Sequence, residues 1–298
     1  VLDNGSGYIK AGYSNQKIPE ICIPAMIGRE VLRYGEKIDI EKIKETKSKK
    51  EQKKLIKQMI KERHLKQIMI GDEVTPFRSL LDLSHPISEG LIVDEEDLYK
   101  LWDYALTKKL EIEDLSQKKV IVTEAPQNPI SNKIKICEIL FEKMSVGALN
   151  IEPQAKCALF YEGIETGIVL DSGDGCTHCI PVSDGYILQH CIERMDIAGR
   201  HITEYLIRLL QKKGYCFNSS ADFELVREIK EKFCFVSCDI KSDRELERKT
   251  SYFNSYYLLP DGSRIHLSDE KFEAPEILFN PGLIGKECVG VAEMLHKS

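Results

Sequence analysis

The chain has 298 residues, a net charge of −6, 42% hydrophobic residues and 30% charged ones. That mix supports a sizeable core and excludes global disorder or a fibrous repeat, while the acidic balance speaks against a nucleic-acid coat. No window reaches the ~20 apolar residues of a membrane-spanning helix, and length alone suggests two domains of ~150 residues each.

The first residues, Val1-Leu2-Asp3-Asn4-Gly5-Ser6-Gly7, read as a strand entering a turn and not as an apolar leader; the missing initiator Met reads as a trimmed start. Leu2 to Gly12 is a predicted strand, turn and strand. Between Lys37 and Lys66, eleven lysines and one arginine face five carboxylates, a net +7 that leaves −13 on the remainder. Leu55, Ile56, Met59 and Ile60 give that stretch only a thin apolar stripe. It reads as a solvated surface insertion, partly helical and in part disordered; a basic arm docking on an acidic partner is the sharper alternative. Asp94 caps a predicted helix to about Lys108, with Leu98, Leu101, Trp102 and Ala105 on one face. Val120-Ile121-Val122 reads as a buried strand. After the turn Pro126-Gln127-Asn128-Pro129, Ser131 is the predicted cap of a helix with Ile134, Cys137, Leu140 and Phe141 inward. Ile168-Val169-Leu170 is a further strand, running into Asp171-Ser172-Gly173-Asp174-Gly175. Arg200 to Lys213 is helical, with Ile202, Tyr205, Leu206, Leu209 and Leu210 inward and Gly214 as the stop. Ser220 starts a helix carrying Phe223, Val226, Ile229 and Phe233, and Leu259-Pro260-Asp261-Gly262 is a hairpin turn. Strands interleaved with helices indicate an α/β architecture.

Ten cysteines, mostly inside apolar runs, point to a reducing, cytoplasmic compartment. Cys176-Thr177-His178-Cys179, with Cys234 and Cys238 downstream, raises a zinc reading. No second C-x-x-C accompanies it, and strand alternation alone can produce the spacing, so apolar burial is preferred.

Two turns share one design: an apolar strand, an Asp, then small residues. They are Asp3-Asn4-Gly5-Ser6-Gly7 and Asp171-Ser172-Gly173-Asp174-Gly175. Glycines allow close backbone approach, and successive N–H groups can cradle phosphate oxygens. Each Asp can hold a hydrated Mg²⁺, which keeps most of its waters. Lys10, three residues past the first turn, is within reach of a phosphate. Two such turns far apart in sequence suggest facing half-sites that clamp one nucleotide. They are equally what two ordinary β-turns contain, and these residues alone leave the readings level.

The two turns, with Lys10-Ala11-Gly12 and Thr177-His178, resemble the phosphate loops of the actin superfamily. Thr123-Glu124-Ala125-Pro126, Asp196-Ile197-Ala198-Gly199-Arg200 and Ile229-Lys230-Glu231-Lys232 carry the resemblance further, in family order over the chain outside the Lys-rich stretch. Leu101-Trp102-Asp103-Tyr104, Ser220-Ala221-Asp222-Phe223-Glu224 and Phe272-Glu273-Ala274-Pro275-Glu276 are similar to the actin-related subunits of the branched-filament nucleator. The resemblance implies an actin-like two-lobed ATPase fold with ribonuclease-H-like halves, holding ATP or ADP with Mg²⁺ or Ca²⁺. It implies discontinuous lobes: 1–24 with 86–161, 25–85 carrying the insertion, 162–197 with 287–298, and 198–286. Asn4, Gly5, Ser6, Gly7 and Lys10 are then the phosphate-binding residues of one lobe, and Asp174, Gly175 and Cys176 those of the other. Asp3 and Asp171 hold the metal's waters, Gln154 positions the attacking water and His178 assists it. Gly199, Arg227, Lys230 and Glu231 match nucleoside-binding positions, and Asn128 and Arg194 a phosphate-exit gate. The implied partners are actin filaments, the other subunits of the nucleating complex and nucleation-promoting factors, in the cytoplasmic cytoskeleton; neither a nucleic acid nor a membrane span is implied.

Some residues depart from the family pattern. Glu89 stands where actin has a histidine, Pro153 precedes Gln154, and Cys176 replaces a common valine. Ser298 comes before the family's third nucleotide motif and its closing helices, so the expectation is an unfinished cleft with weak or absent ATP binding, and slow hydrolysis only in an intact form. A degenerate actin-like chain without nucleotide binding, or another ATPase of the wider sugar-kinase and heat-shock-protein-70 superfamily, remains the alternative.

Overall fold

The computed structural model describes residues 1–30, 68–259 and 262–298; the Lys37–Lys66 stretch, and Pro260 and Asp261 of the predicted hairpin turn, lie outside these. Leu2–Asn4 (β1) and Tyr8–Ala11 (β2) form the first hairpin, in a register that sets Asp3 opposite Lys10. Ile21–Pro24 (β3) extends it. Ile27–Glu30 (β4) pairs instead with Ile68–Ile70 (β5) and Leu81–Ser84 (β6), over a small core of Met26, Met69, Val74 and Leu81. After the short pair Ile87–Ser88 (β7) and Leu91–Ile92 (β8), Lys119–Glu124 (β9) and Ala148–Pro153 (β10) complete a five-stranded sheet ordered β10-β9-β1-β2-β3. Strands β10, β9 and β1 run parallel, so their carboxyl ends share one edge.

Two helical segments cover this sheet. Glu95–Asp103 (α1) starts at the predicted Asp94, whose carboxylate accepts the Asp97 N–H at 2.9 Å. Leu98, Leu101 and Trp102 are fully buried. From Tyr104 the coil widens to π-type turns through Lys109, closed by Leu110 N–H on the Ala105 carbonyl. Ile130–Glu138 (α2) begins one residue before the predicted Ser131 cap, because Pro129 already supplies a fixed φ of −57° at its threshold. The inward face is also corrected: Asn132, Ile136, Ile139 and Leu140 are buried, Ile134 and Phe141 are exposed, and Cys137 is half-buried. Ile92 N–H is a buried donor that needs an acceptor, and Asn132 Oδ1 provides it at 3.0 Å, which fixes the helix rotation.

The second half opens with Gln154–Glu162 (α3) and repeats the hairpin plan. Gly167–Ser172 (β11) pairs antiparallel with Thr177–Ser183 (β12), setting Asp171 opposite His178. Tyr186–Ile187 (β13) and Glu193–Met195 (β14) flank the other edge of β12. Gly199–Lys212 (α4) and Ser220–Phe233 (α5) pack together, burying Leu206, Leu210, Val226 and Ile229. The Ser219 hydroxyl and the Asp222 carboxylate cap α5 reciprocally. Ile240–Lys249 (α6), the hairpin Ser255–Leu258 (β15) with Arg264–Leu267 (β16), Glu270–Glu273 (α7) and Val291–Lys297 (α8) complete a two-lobed α/β fold. No helix among the described residues is long and apolar enough to cross a membrane.

Candidate functional site

A cavity of about 930 Å³ opens between the two hairpins. It lies at the carboxyl edge of the parallel strands, the usual ligand position of an open α/β sheet. Asp3, Asn4, Gly5, Ser6, Gly7 and Lys10 line it from β1–β2; Asp171, Asp174, Gly175, Cys176 and His178 line it from β11–β12; Gln154 lines it from the start of α3. The turns approach so closely that a Cβ on Gly7 would sit 2.9 Å from the Asp174 Cβ, and one on Gly175 2.9 Å from the Glu89 Cα. Glycine is required at both positions because a Cβ would collide with the Asp174 side chain in one case and the Glu89 backbone in the other.

The side chains are fixed from several directions. Thr123 Oγ1 donates to Asp3 Oδ1 at 2.5 Å and Gln154 Nε2 to the same oxygen at 3.1 Å, while Lys10 Nζ lies 3.9 Å from Oδ2. Pro153 at the threshold of α3 does not prevent Gln154 from reaching Asp3. Trp102 Nε1 donates to Asn4 Oδ1 at 3.1 Å, and Gly90 N–H to Ser6 Oγ at 3.1 Å. Asn128, also on the cavity wall, donates to Glu124, and Arg194 donates to the Glu89 carbonyl and to Asp196.

Burial pushes the Asp171 carboxyl above the usual range, the Asp3 charge adds to it, and Lys10 opposes it. Burial, helped by Arg194, lowers His178 to about 4, so its imidazole is neutral at pH 7. His178 Nε2 is buried without a hydrogen-bond partner, on a side chain that lines the cavity. Burial pushes the Cys176 thiol up to about 11, which keeps it protonated and a poor nucleophile. Among the described residues no three His, Cys, Asp or Glu are grouped to hold a metal directly. A glycine-lined cradle, two facing carboxylates and an orphaned imidazole nitrogen fit a phosphate chain with a hydrated cation.

Gly199, Arg227, Lys230 and Glu231 are not among the residues that line this cavity; Gly199 and Lys230 stand at the second turn, and Glu231 lies 3.8 Å from Arg227. Gly199 N–H donates to the Gly173 carbonyl at 3.0 Å and Lys230 Nζ to the Gly199 carbonyl at 2.8 Å. Arg227 pairs with Glu224 at 2.7 Å and stacks on the Tyr8 ring, 5.1 Å from its centroid. Three structural contributors escaped the sequence reading as site residues: Thr123, Tyr8 and Arg200, whose guanidinium lies 3.3 Å from Asp174 Oδ2. Only the strand-end position of Thr123, aligned with Asp3 across β1 and β9, carried a signal.

The actin family model matches residues 1–298, and the chain belongs to the actin family. It is 41% identical to actin-related protein 2 of Saccharomyces cerevisiae over 298 residues, all of this chain and 71% of that protein. It is also similar to actin-related protein 2 of Acanthamoeba castellanii, 40% over 295 residues (99% of this chain, 70% of that protein), and of Drosophila melanogaster, 42% over 296 residues (99% and 69%).

Proposed function

We propose that the cavity binds ATP with a divalent cation, Mg²⁺ or Ca²⁺, and that the protein serves as an actin-related subunit of the actin-related protein 2/3 complex. Its partners are then actin filaments, the complex's other subunits and nucleation-promoting factors, in the cytoplasmic cytoskeleton. The observation that carries the reading is the pair of Asp-led hairpins facing each other across one cavity, with Asp3 opposite Lys10 and Asp171 opposite His178. Similarity to actin-related protein 2 over the whole chain supports the assembly role.

In this reading the glycine-rich turns give N–H groups to phosphate oxygens, and Lys10 adds a positive charge. A bound cation neutralises phosphate charge, and Asp3 and Asp171 hold its waters. Gln154 orients a water through its amide, and the neutral His178 accepts a hydrogen bond at Nε2. Phosphoryl transfer depends chiefly on positioning; hydrolysis, slow and expected only of an intact form, is secondary to the structural role. Gly199, Arg227, Lys230 and Glu231 serve the nucleoside end. The lobes divide as 1–24 with 86–161, 25–85, 162–197 with 287–298, and 198–286; the separate apolar cluster of Met26, Met69, Val74 and Leu81 supports the second of these units.

Calorimetry of ATP binding with and without Mg²⁺ tests the site. Asp3→Ala is expected to weaken Mg²⁺·ATP by about tenfold or more, the scale of a lost charged contact. Equal affinity in the variant and the parent chain refutes the assignment.

A further inference from the structure

Asp3 stands one residue before the end of β1, and the parallel register places Thr123, one residue before the end of β9, beside it. The next strand, β10, delivers Gln154 at the start of α3. Three adjacent strand ends therefore converge on one carboxylate. Two of them donate to the same atom: Thr123 Oγ1 and Gln154 Nε2 both bind Oδ1. Thr123 is 5% exposed, and its hydroxyl also accepts the Asn4 N–H at 3.4 Å, so it is held on both sides. With Oδ1 carrying two donors, the carboxylate plane is fixed, and Oδ2, on the Lys10 side, is the oxygen left for the cavity.

We infer that Thr123 is a positioning residue of the nucleotide site: its hydroxyl locks the Asp3 carboxylate so that one oxygen faces the hydrated cation. This rests on the proposed role of Asp3. It differs from a merely structural role, in which Thr123 satisfies a buried Asn4 N–H and any loss is spread over stability. A hydroxyl that only fills space stabilises the fold with or without cation. A hydroxyl that orients Asp3 matters most when the cation is bound.

The test compares Thr123→Val and Thr123→Ser with the parent chain by calorimetric ATP binding across an Mg²⁺ titration, with thermal unfolding of the ligand-free proteins alongside. Thr123→Val is expected to raise the Mg²⁺ concentration needed for half-maximal ATP binding by about tenfold, the scale of one hydrogen bond to a charged group. ATP binding without Mg²⁺ is expected to change less than twofold, and Thr123→Ser, which keeps the hydroxyl, to restore the Mg²⁺ dependence. A Val variant with the parent's Mg²⁺ dependence overturns the inference while leaving the site reading intact. So does a Ser variant as impaired as Val, or a loss equal with and without Mg²⁺. A parent chain whose ATP binding ignores Mg²⁺ overturns the site reading and this inference together.

Discussion

Replacing Asp171 by Asn should strengthen the ligand-free protein and weaken its ligand. The Asp171 carboxyl is raised by burial and by Asp3, against the pull of Lys10. A carboxyl whose folded pKa exceeds its unfolded value destabilises the fold where it is ionised. The penalty is absent below the unfolded pKa of ~4 and complete above the folded one. At neutral pH the amide removes that penalty. The expected gain is about 1 kcal/mol, the usual scale for relieving a strained functional position, or a rise of ~2–4 °C in Tm. The same change removes one of the two carboxylates proposed to hold the hydrated cation, so Mg²⁺·ATP affinity should fall about tenfold to a hundredfold. Urea unfolding of the ligand-free chain and calorimetry on the same preparation read the two effects. A less stable ligand-free variant, or one that binds Mg²⁺·ATP like the parent, refutes the reasoning. Below pH ~3 the stability gain should vanish, since residue 171 of the parent is then protonated in both states.

Two more outcomes follow from the same geometry. His178 and His85 are both lowered to about 4, chiefly by burial, with Arg194 and Arg200 respectively adding to it. Below the unfolded value of ~6.5 the unfolded chain takes up these protons first, so stability should fall as the pH drops towards 4, by about 2 kcal/mol per histidine between pH ~7 and ~5. His178→Gln should remove its share in paired denaturation curves at those two pH values; an unchanged pH dependence refutes the assignment. Gly7→Ala places a methyl 2.9 Å from the Asp174 Cβ, so the turns must separate. The cost is expected near 1–3 kcal/mol, typical of overpacking, with a parallel loss of ATP affinity; calorimetry showing full affinity would mean that the turns do not clamp one ligand.

Much of the site is local, and local chemistry is legible. Asp3-Asn4-Gly5-Ser6-Gly7 and Asp171-Ser172-Gly173-Asp174-Gly175 advertise hairpin turns because only small residues permit the backbone approach that Gly7 and Gly175 show. The partners of Asp3 are not local. Thr123 and Gln154 stand 120 and 151 positions away, and only the parallel register of β1, β9 and β10 joins them. The rotation of α2 was misleading for a different reason. Ile134, Cys137, Leu140 and Phe141 make a tempting apolar stripe, yet only Leu140 is fully buried, while Ile134 and Phe141 are exposed. A buried backbone donor on β8 claimed Asn132, and satisfying it outweighed the stripe. The contact of Arg227 with Tyr8, 219 positions away, arises only because the fold sets α5 against β2.

Two carboxylates that repel each other, Asp3 and Asp171, line the cavity at the seam between the halves. Direct polar links across it include Arg227 on Tyr8 and Arg78 with Glu228 at 3.5 Å. An exposed ion pair is worth ~0–1 kcal/mol and a cation–π contact ~0.5–1 kcal/mol. A ligand present at a hundred times its Kd adds ~2.7 kcal/mol to the state that binds it, more than either link contributes. A cavity ligand that touches both turns therefore governs how the hairpins sit against each other more than any one of these seam contacts does. In the proposed role, a cation held through water by Asp3 and Asp171 would offset the repulsion that helps raise the Asp171 carboxyl, so the charge pattern that costs stability in the free protein would favour the bound one.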